Sequence, residues 1–296
     1  MYRQSSSAMI VRRKPSDWVL LFSLVAMWGS SFMFNKLGVA TVPPATLAAA
    51  RLALGALLLL GVVYALGLRL PPRGRVWFAY AALGLVGNAI PFYLISWGQQ
   101  VVDSALAGIL IAVMPLATLL LAHFLVHGER MVRYRVAGFV VGFLGIVVLM
   151  GPAAVAGFGG SAGKILSECA VLAGALCYAS NSVMTKLLVK GNALVASAAT
   201  LLVAAAVSVP FALVVDRPWT LEPGAGSIAA IVWLGIGPTA IATICYYKLI
   251  GSAGPTFMSL VNYMSPVVAV FLGVTLLGEH PGANAYTGLA LILAGI

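Results

Sequence analysis

The side chains best able to hold a small polar molecule lie inside segments that are otherwise almost wholly apolar. Trp28, Ser31 and Asn35 are spaced i, i+3 and i+7, which places them on one face of a helix. Tyr178, Asn181 and Thr185 form the same face again further along the chain. Tyr80, Gly84, Asn88 and Pro91 stripe another segment and are answered by Gly235, Thr239 and Tyr246. A third pair carries Ser104, Gly108, Pro115 and Thr118, and Ser259, Asn262, Tyr263 and Pro266. Indole and phenol rings offer flat faces to an apolar group or an ammonium. Amides and hydroxyls bond amino and carboxylate groups. Trp28, Trp97, Tyr178, Tyr246 and Tyr263 are therefore candidate faces, and Ser31, Asn88, Asn181, Thr239 and Asn262 candidate polar contacts, with Tyr80 on the stripe of Asn88. For the Gly, Ala and Ser positions the competing role is close helix packing; for the Asn, Tyr and Trp positions cavity lining and structure both stand. The chemistry these residues support is recognition. No Ser-His pair, paired aspartates or zinc-spaced histidines lie at matching depth, so neither a catalytic group, a metal site nor a cofactor is expected.

The elements that must position them are membrane helices. The 296 residues are 62% hydrophobic and 8% charged, which leaves too little polar surface for a soluble domain of this length. Apolar runs near the length that crosses a hydrocarbon core fall at 18–38, 44–66, 76–97, 104–125 and 136–151, then at 165–188, 193–215, 227–250, 255–278 and 285–296. Ten helices are expected, and because the last run is short the native chain is expected to continue past Ile296. The three cysteines, Cys169, Cys177 and Cys245, are expected to pack inside helices.

The runs form two copies of five. Leu83, Gly84, Leu85, Asn88, Ala89 and Ile90 return as Leu234, Gly235, Ile236, Thr239, Ala240 and Ile241; Pro115, Gly128 and Glu129 return as Pro266, Gly278 and Glu279. Since five is odd, the second copy is inverted, the architecture of a secondary transporter with its site near the midplane. The expected division is a basic tail at 1–16, a first unit at 17–151, a Gly-rich linker at 152–163 and a second unit at 164–296. Pro115 and Pro266 interrupt helices and are candidate hinges.

With the N-terminus in the cytoplasm, Arg3, Arg12, Arg13, Lys14, Arg69, Arg73, Arg75, Arg130, Arg133, Arg135, Lys186, Lys190 and Lys248 fall inside, and Lys36, Lys164 and Arg217 outside. This asymmetry accounts for the net charge of +10 as a topology signal, without nucleic acid as a partner. Arg51 alone lies well within a span. Either it bonds carbonyls near Gly38 to Thr41 and is a structural charge, the reading preferred from sequence, or it clamps a carboxylate. Glu168 is expected to pair with Lys164 or to reach water, with proton acceptance as the competing role.

The run WGSSFMFNKLG at 28–38, PPATLAAARLALGALLLL at 43–60 and GER at 128–130, echoed by GEH at 278–280, resembles the EamA family of the drug/metabolite transporter superfamily. Within it the chain is most similar to YddG-type amino-acid exporters. The resemblance implies a ten-helix basket in the bacterial cytoplasmic (inner) membrane, with a cavity lined by helices one, three, four, six, eight and nine. It also implies export of amino acids, including aromatic ones, or of drugs and other small metabolites. The first helix lacks the glutamate that small multidrug-resistance relatives use for protons, so a neutral or zwitterionic small molecule fits best. The lipid bilayer is the other partner, a monomer is favoured, and neither a channel nor an intramembrane enzyme has a motif to support it.

Overall fold

Apolar runs of this length become helices because hydrocarbon supplies no hydrogen bonds and a helix satisfies its own backbone. The computed structural model describes residues 14–126, 133–155, 162–189 and 191–295, and every regular element among them is helical. Residues 1–13 of the expected tail, the GER at 128–130, Lys190 and linker residues 156–161 lie outside the described residues. The helices are α1 (Pro15–Val39), α2 (Pro44–Ala65), α3 (Val76–Gly98), α4 (Ser104–Leu125), α5 (Arg133–Val155), α6 (Ala162–Leu188), α7 (Ala193–Val215), α8 (Ala225–Ala253), α9 (Pro255–Met258 and Leu260–Leu276) and α10 (Ala283–Gly295). Seven of them, α1 to α4 and α6 to α8, are long and apolar enough to cross a membrane; the apolar parts of α5, α9 and α10 are shorter. Large apolar side chains face outward, among them Phe78 at 79% exposure and Phe124 at 74%. That is the surface of a bundle solvated by lipid.

The closest helix pairs are α5 with α10, α2 with α7 and α8, α1 with α8 and α9, α3 with α6 and α7, and α4 with α6 and α9. Small residues permit these approaches. A Cβ on Gly145 would stand 2.8 Å from the Gly288 carbonyl, and one on Gly288 2.8 Å from that of Gly145, so α5 and α10 meet backbone to backbone. The GxxxG pair Gly138 and Gly142 faces inward, against Gly295 and Leu116, as an internal contact.

Four helices are interrupted. A π-helical turn at Leu85–Ala89 divides α3 and another at Gly235–Ile241 divides α8. In α4 the break falls at Ala112–Val113, just before Pro115, and in α9 at Ser259, whereas Pro266 lies inside a continuous helix.

At the end of the bundle where α2 and α4 begin, carboxylates from the second half cap helices of the first. Ser104 N donates to Glu279 Oε1 at 2.7 Å and Ala105 N to Oε2 at 2.8 Å. Thr46 donates through its backbone N at 2.6 Å and Oγ1 at 3.0 Å to Asp216 Oδ2. An anion at a helix N-terminus meets free N–H groups and the positive end of the helix dipole. Ser227 Oγ donates to the Leu37 carbonyl at 2.8 Å and accepts from Thr41 Oγ1 at 2.8 Å, joining α8 to α1. Because Glu279 is buried, Glu279→Ala strips two backbone donors of their acceptor and should lower unfolding stability in detergent by about 2 kcal/mol. The exposed Glu222→Ala should leave it unchanged, and a denaturation series on the two purified variants checks both.

Candidate functional site

The two π-helical turns meet the polar stripes. In α3 the side chain of Asn88 reaches back five residues, Nδ2 donating to the Leu83 carbonyl at 3.4 Å; in α8 Thr239 Oγ1 donates to the Leu234 carbonyl at 2.7 Å. The same device thus stands at both repeat-related positions. A π turn widens the helix and leaves carbonyls in need of partners, a distortion common at functional sites. Trp28 on α1 takes one of them, Nε1 donating to the Pro238 carbonyl at 3.2 Å. Its indole lies 5.9 Å from the Tyr246 ring, which in turn meets Tyr247 edge-on at 5.1 Å. Tyr247 shares a 2.7 Å hydrogen bond with Ser197 on α7.

Opposite, the α3 turn faces α6. The Asn181 side chain fills the space that a Cβ on Gly87 would need, and Tyr178 meets Phe92 edge-on at 6.4 Å. Between the two turns lies Arg51, 8% exposed, with Nε donating to Thr239 Oγ1 at 2.9 Å and its guanidinium carbon 3.9 Å from the centre of the Phe92 ring. The expected bonds to carbonyls at 38–41 are not formed; the long side chain turns toward α8 and α3 instead. The structure therefore gathers Trp28, Tyr246, Thr239, Arg51 and Tyr178, with Asn88 and Asn181, around the two turns.

Other predicted residues sit elsewhere. Tyr80 is buried against Ala196 and Ala199 of α7, with Trp77 5.8 Å away edge-on, in a packing role. Trp97 lines an apolar cleft between α3 and α6 with Tyr93, Leu94, Leu166, Cys169 and Ala170. Ser31, Asn262 and Tyr263 are half-buried on α1 and α9. Pro115 borders a cleft formed with α5 and α10, and Pro266 is buried in α9. Cys169 is exposed on α6, contrary to the expectation of a packed thiol, because its face of the helix is the one that lines the open cleft. Glu168 is 7% exposed and does not come within ion-pair distance of Lys164, so neither expected arrangement is formed.

A polar network escaped the sequence reading. Ser96 Oγ donates to Asn35 Oδ1 at 2.9 Å, Asn35 Nδ2 to Gln99 Oε1 at 2.8 Å, and Gln99 Nε2 to the Phe32 carbonyl at 2.9 Å, all three side chains being buried. Beside it Lys36 Nζ donates to the carbonyls of Gln99 at 2.9 Å and Val102 at 3.1 Å and lies 3.8 Å from Asp103. Asn35 stood on the striped face with Trp28, and its pairing with Gln99 leaves it tied to α3. The partners lie 61 to 67 residues apart, so spacing within one helix carried no signal.

The EamA-like transporter family model matches residues 17–151 and again 165–296. The chain belongs to the EamA-like transporter family. It is an integral membrane protein of that family, and its relatives are named as transporters. The inner membrane transporter YedA of Escherichia coli strain K12, itself of uncharacterised function, is 27% identical over 93% of this chain and 88% of its own length. A probable terminal-alkyne amino-acid exporter of Streptantibioticus cattleyicolor is 29% identical over 94% of this chain and 91% of its own. A crystal structure 26% identical in sequence superposes with a TM-score of 0.66 over 96% of each chain.

Thr239 is the busier member of the π-turn pair, since its hydroxyl donates to Leu234 and accepts from Arg51 while the Asn88 bond is long. Thr239→Val should therefore cost about 1–3 kcal/mol of stability, Thr239→Ser a fraction of that, and Asn88→Leu less than Thr239→Val. Thermal unfolding of the three variants in one detergent ranks them.

Proposed function

We propose that this EamA-family chain exports small neutral or zwitterionic metabolites, amino acids foremost, across the bacterial cytoplasmic membrane by alternating access. The observation that carries the reading is the pair of repeat-related π turns, each with a side chain bonded five residues back, flanked by the aromatic groups Trp28 and Tyr246 on one side and Tyr178 on the other. Such a site offers rings to an apolar side chain or an ammonium and amides to polar groups. The relative named as a probable terminal-alkyne amino-acid exporter supports the substrate class.

Ten spans in two inverted units at 17–151 and 164–296, with a Gly-rich linker at 152–163, fit the helix pairing. Exchanging α1 with α6, α2 with α7, α3 with α8, α4 with α9 and α5 with α10 turns the set of close pairs into itself. A cytoplasmic N-terminus follows from the distribution of Lys and Arg. In that orientation the carboxylate caps of Asp216 and Glu279 and the Thr41–Ser227 link lie on the outer side and hold it closed. The breaks in α4 and α9 and the prolines Pro115 and Pro266 are the places for bending as the units exchange tilt. Ser31, Asn262 and Tyr263 join the cavity from α1 and α9 as the helices move. The unit acts as a monomer.

Purified protein in liposomes preloaded with unlabelled phenylalanine or leucine should accumulate the labelled amino acid by counterflow, with saturation. Absence of counterflow for any neutral amino acid, with apolar amines or other metabolites carried instead, would replace the amino-acid reading with drug or metabolite export.

A further inference from the structure

Arg51 is a cation in the interior of a lipid-solvated bundle, and no carboxylate among the described residues comes within ion-pair distance of it; the pair that does form joins Lys36 and Asp103. A guanidinium carries five N–H donors in a planar fork suited to two parallel bonds with a carboxylate. Here one of them is used, Nε on Thr239 Oγ1, whose own proton goes to the Leu234 carbonyl. Neither terminal nitrogen has a hydrogen-bond partner among the described residues, and both keep some accessible surface although the residue as a whole is only 8% exposed. A charge at this depth without a counter-ion is costly, and residues of this kind mark substrate pathways. Phe92 beneath the guanidinium, with Tyr178 at its edge, holds the plane of the fork in place.

The anchor points place this cation in the site. Arg51 bonds the side chain of Thr239 and Trp28 bonds the carbonyl of Pro238, consecutive residues of the α8 π turn. A molecule spanning that turn meets a cation at one end and, at the other, the Trp28 and Tyr246 rings 5.9 Å apart.

We propose that Arg51 is the carboxylate subsite of the transport cavity: its terminal nitrogens take the carboxylate of the carried molecule while Trp28 and Tyr246 take its apolar part. The proposal rests on the reading of this bundle as an exporter of small zwitterions and adds which group of them is recognised. It makes the carboxylate, more than the amine, the mark of a substrate.

The test uses the full chain purified in detergent, with binding followed by tryptophan fluorescence. The probes are phenylalanine, 3-phenylpropionate, phenethylamine and phenylalaninamide, applied to the natural protein, Arg51→Gln and Arg51→Lys. Phenylalanine should bind the natural protein at least about tenfold tighter than phenylalaninamide, the scale of one charged hydrogen bond, and this comparison needs no variant. Arg51→Gln should weaken phenylalanine and 3-phenylpropionate by about ten- to a hundredfold and phenethylamine by less than about twofold, with Arg51→Lys between. Equal weakening of all probes in Arg51→Gln, or of none, overturns the proposal, as does equal binding of phenylalanine and its amide. If liposome counterflow fails for amino acids while 3-phenylpropionate binding still depends on Arg51, the carboxylate subsite stands and the amino-acid reading falls. If counterflow succeeds and carboxylate preference survives Arg51→Gln, the subsite falls alone.

Discussion

Hydrocarbon cannot hydrogen-bond, and every other feature of this protein follows from the need to satisfy polar groups without water. Regular helix does this for most of the backbone. The remainder, at helix starts, at distorted turns and on buried polar side chains, has to find partners in other helices, and those partners define the architecture. Glu279 and Asp216 cap α4 and α2 from the opposite half of the chain. Asn35, Ser96 and Gln99 satisfy one another between α1 and α3. Each bond that removes an unpaired group from lipid also fixes one helix against another.

The same constraint explains why distortion is concentrated where recognition residues lie. A π turn releases carbonyls that an undistorted helix would have used, and it is tolerated where side chains or neighbouring helices replace the lost bonds. Trp28 serves the α8 turn from α1, Thr239 and Asn88 serve the turns from within, and Arg51 is held through Thr239. Elsewhere small residues let helices close up, as where Gly145 and Gly288 bring α5 and α10 together.

Much was legible in the chain itself. Apolar length marked the helices, and their bounds in the structure fall close to the runs seen in sequence, because a span must match a fixed hydrocarbon thickness. The pairing of Asn88 with Thr239 as equivalent positions was visible as a recurrence, and the structure gives both the same backward bond. The π turns had a local trace in Gly87 and Pro91 and in Gly235, Gly237 and Pro238, which disfavour an even helix, but such residues also mark simple kinks and packing contacts.

What the sequence determined by itself was set by local physics: lipid as solvent, helices as elements, family membership and the faces on which polar residues fall. What the tertiary structure decided was which of those faces meet. Tyr80 shares a stripe with Asn88, and Trp97 is an aromatic candidate on the same helix, yet they turn to α7 and to an apolar cleft beside α6, while Arg51, on a helix without a polar stripe, reaches Thr239 188 residues away. Helical spacing specifies direction around one axis only. The partner across the bundle depends on how close glycines let the axes approach and on which long side chain spans the gap.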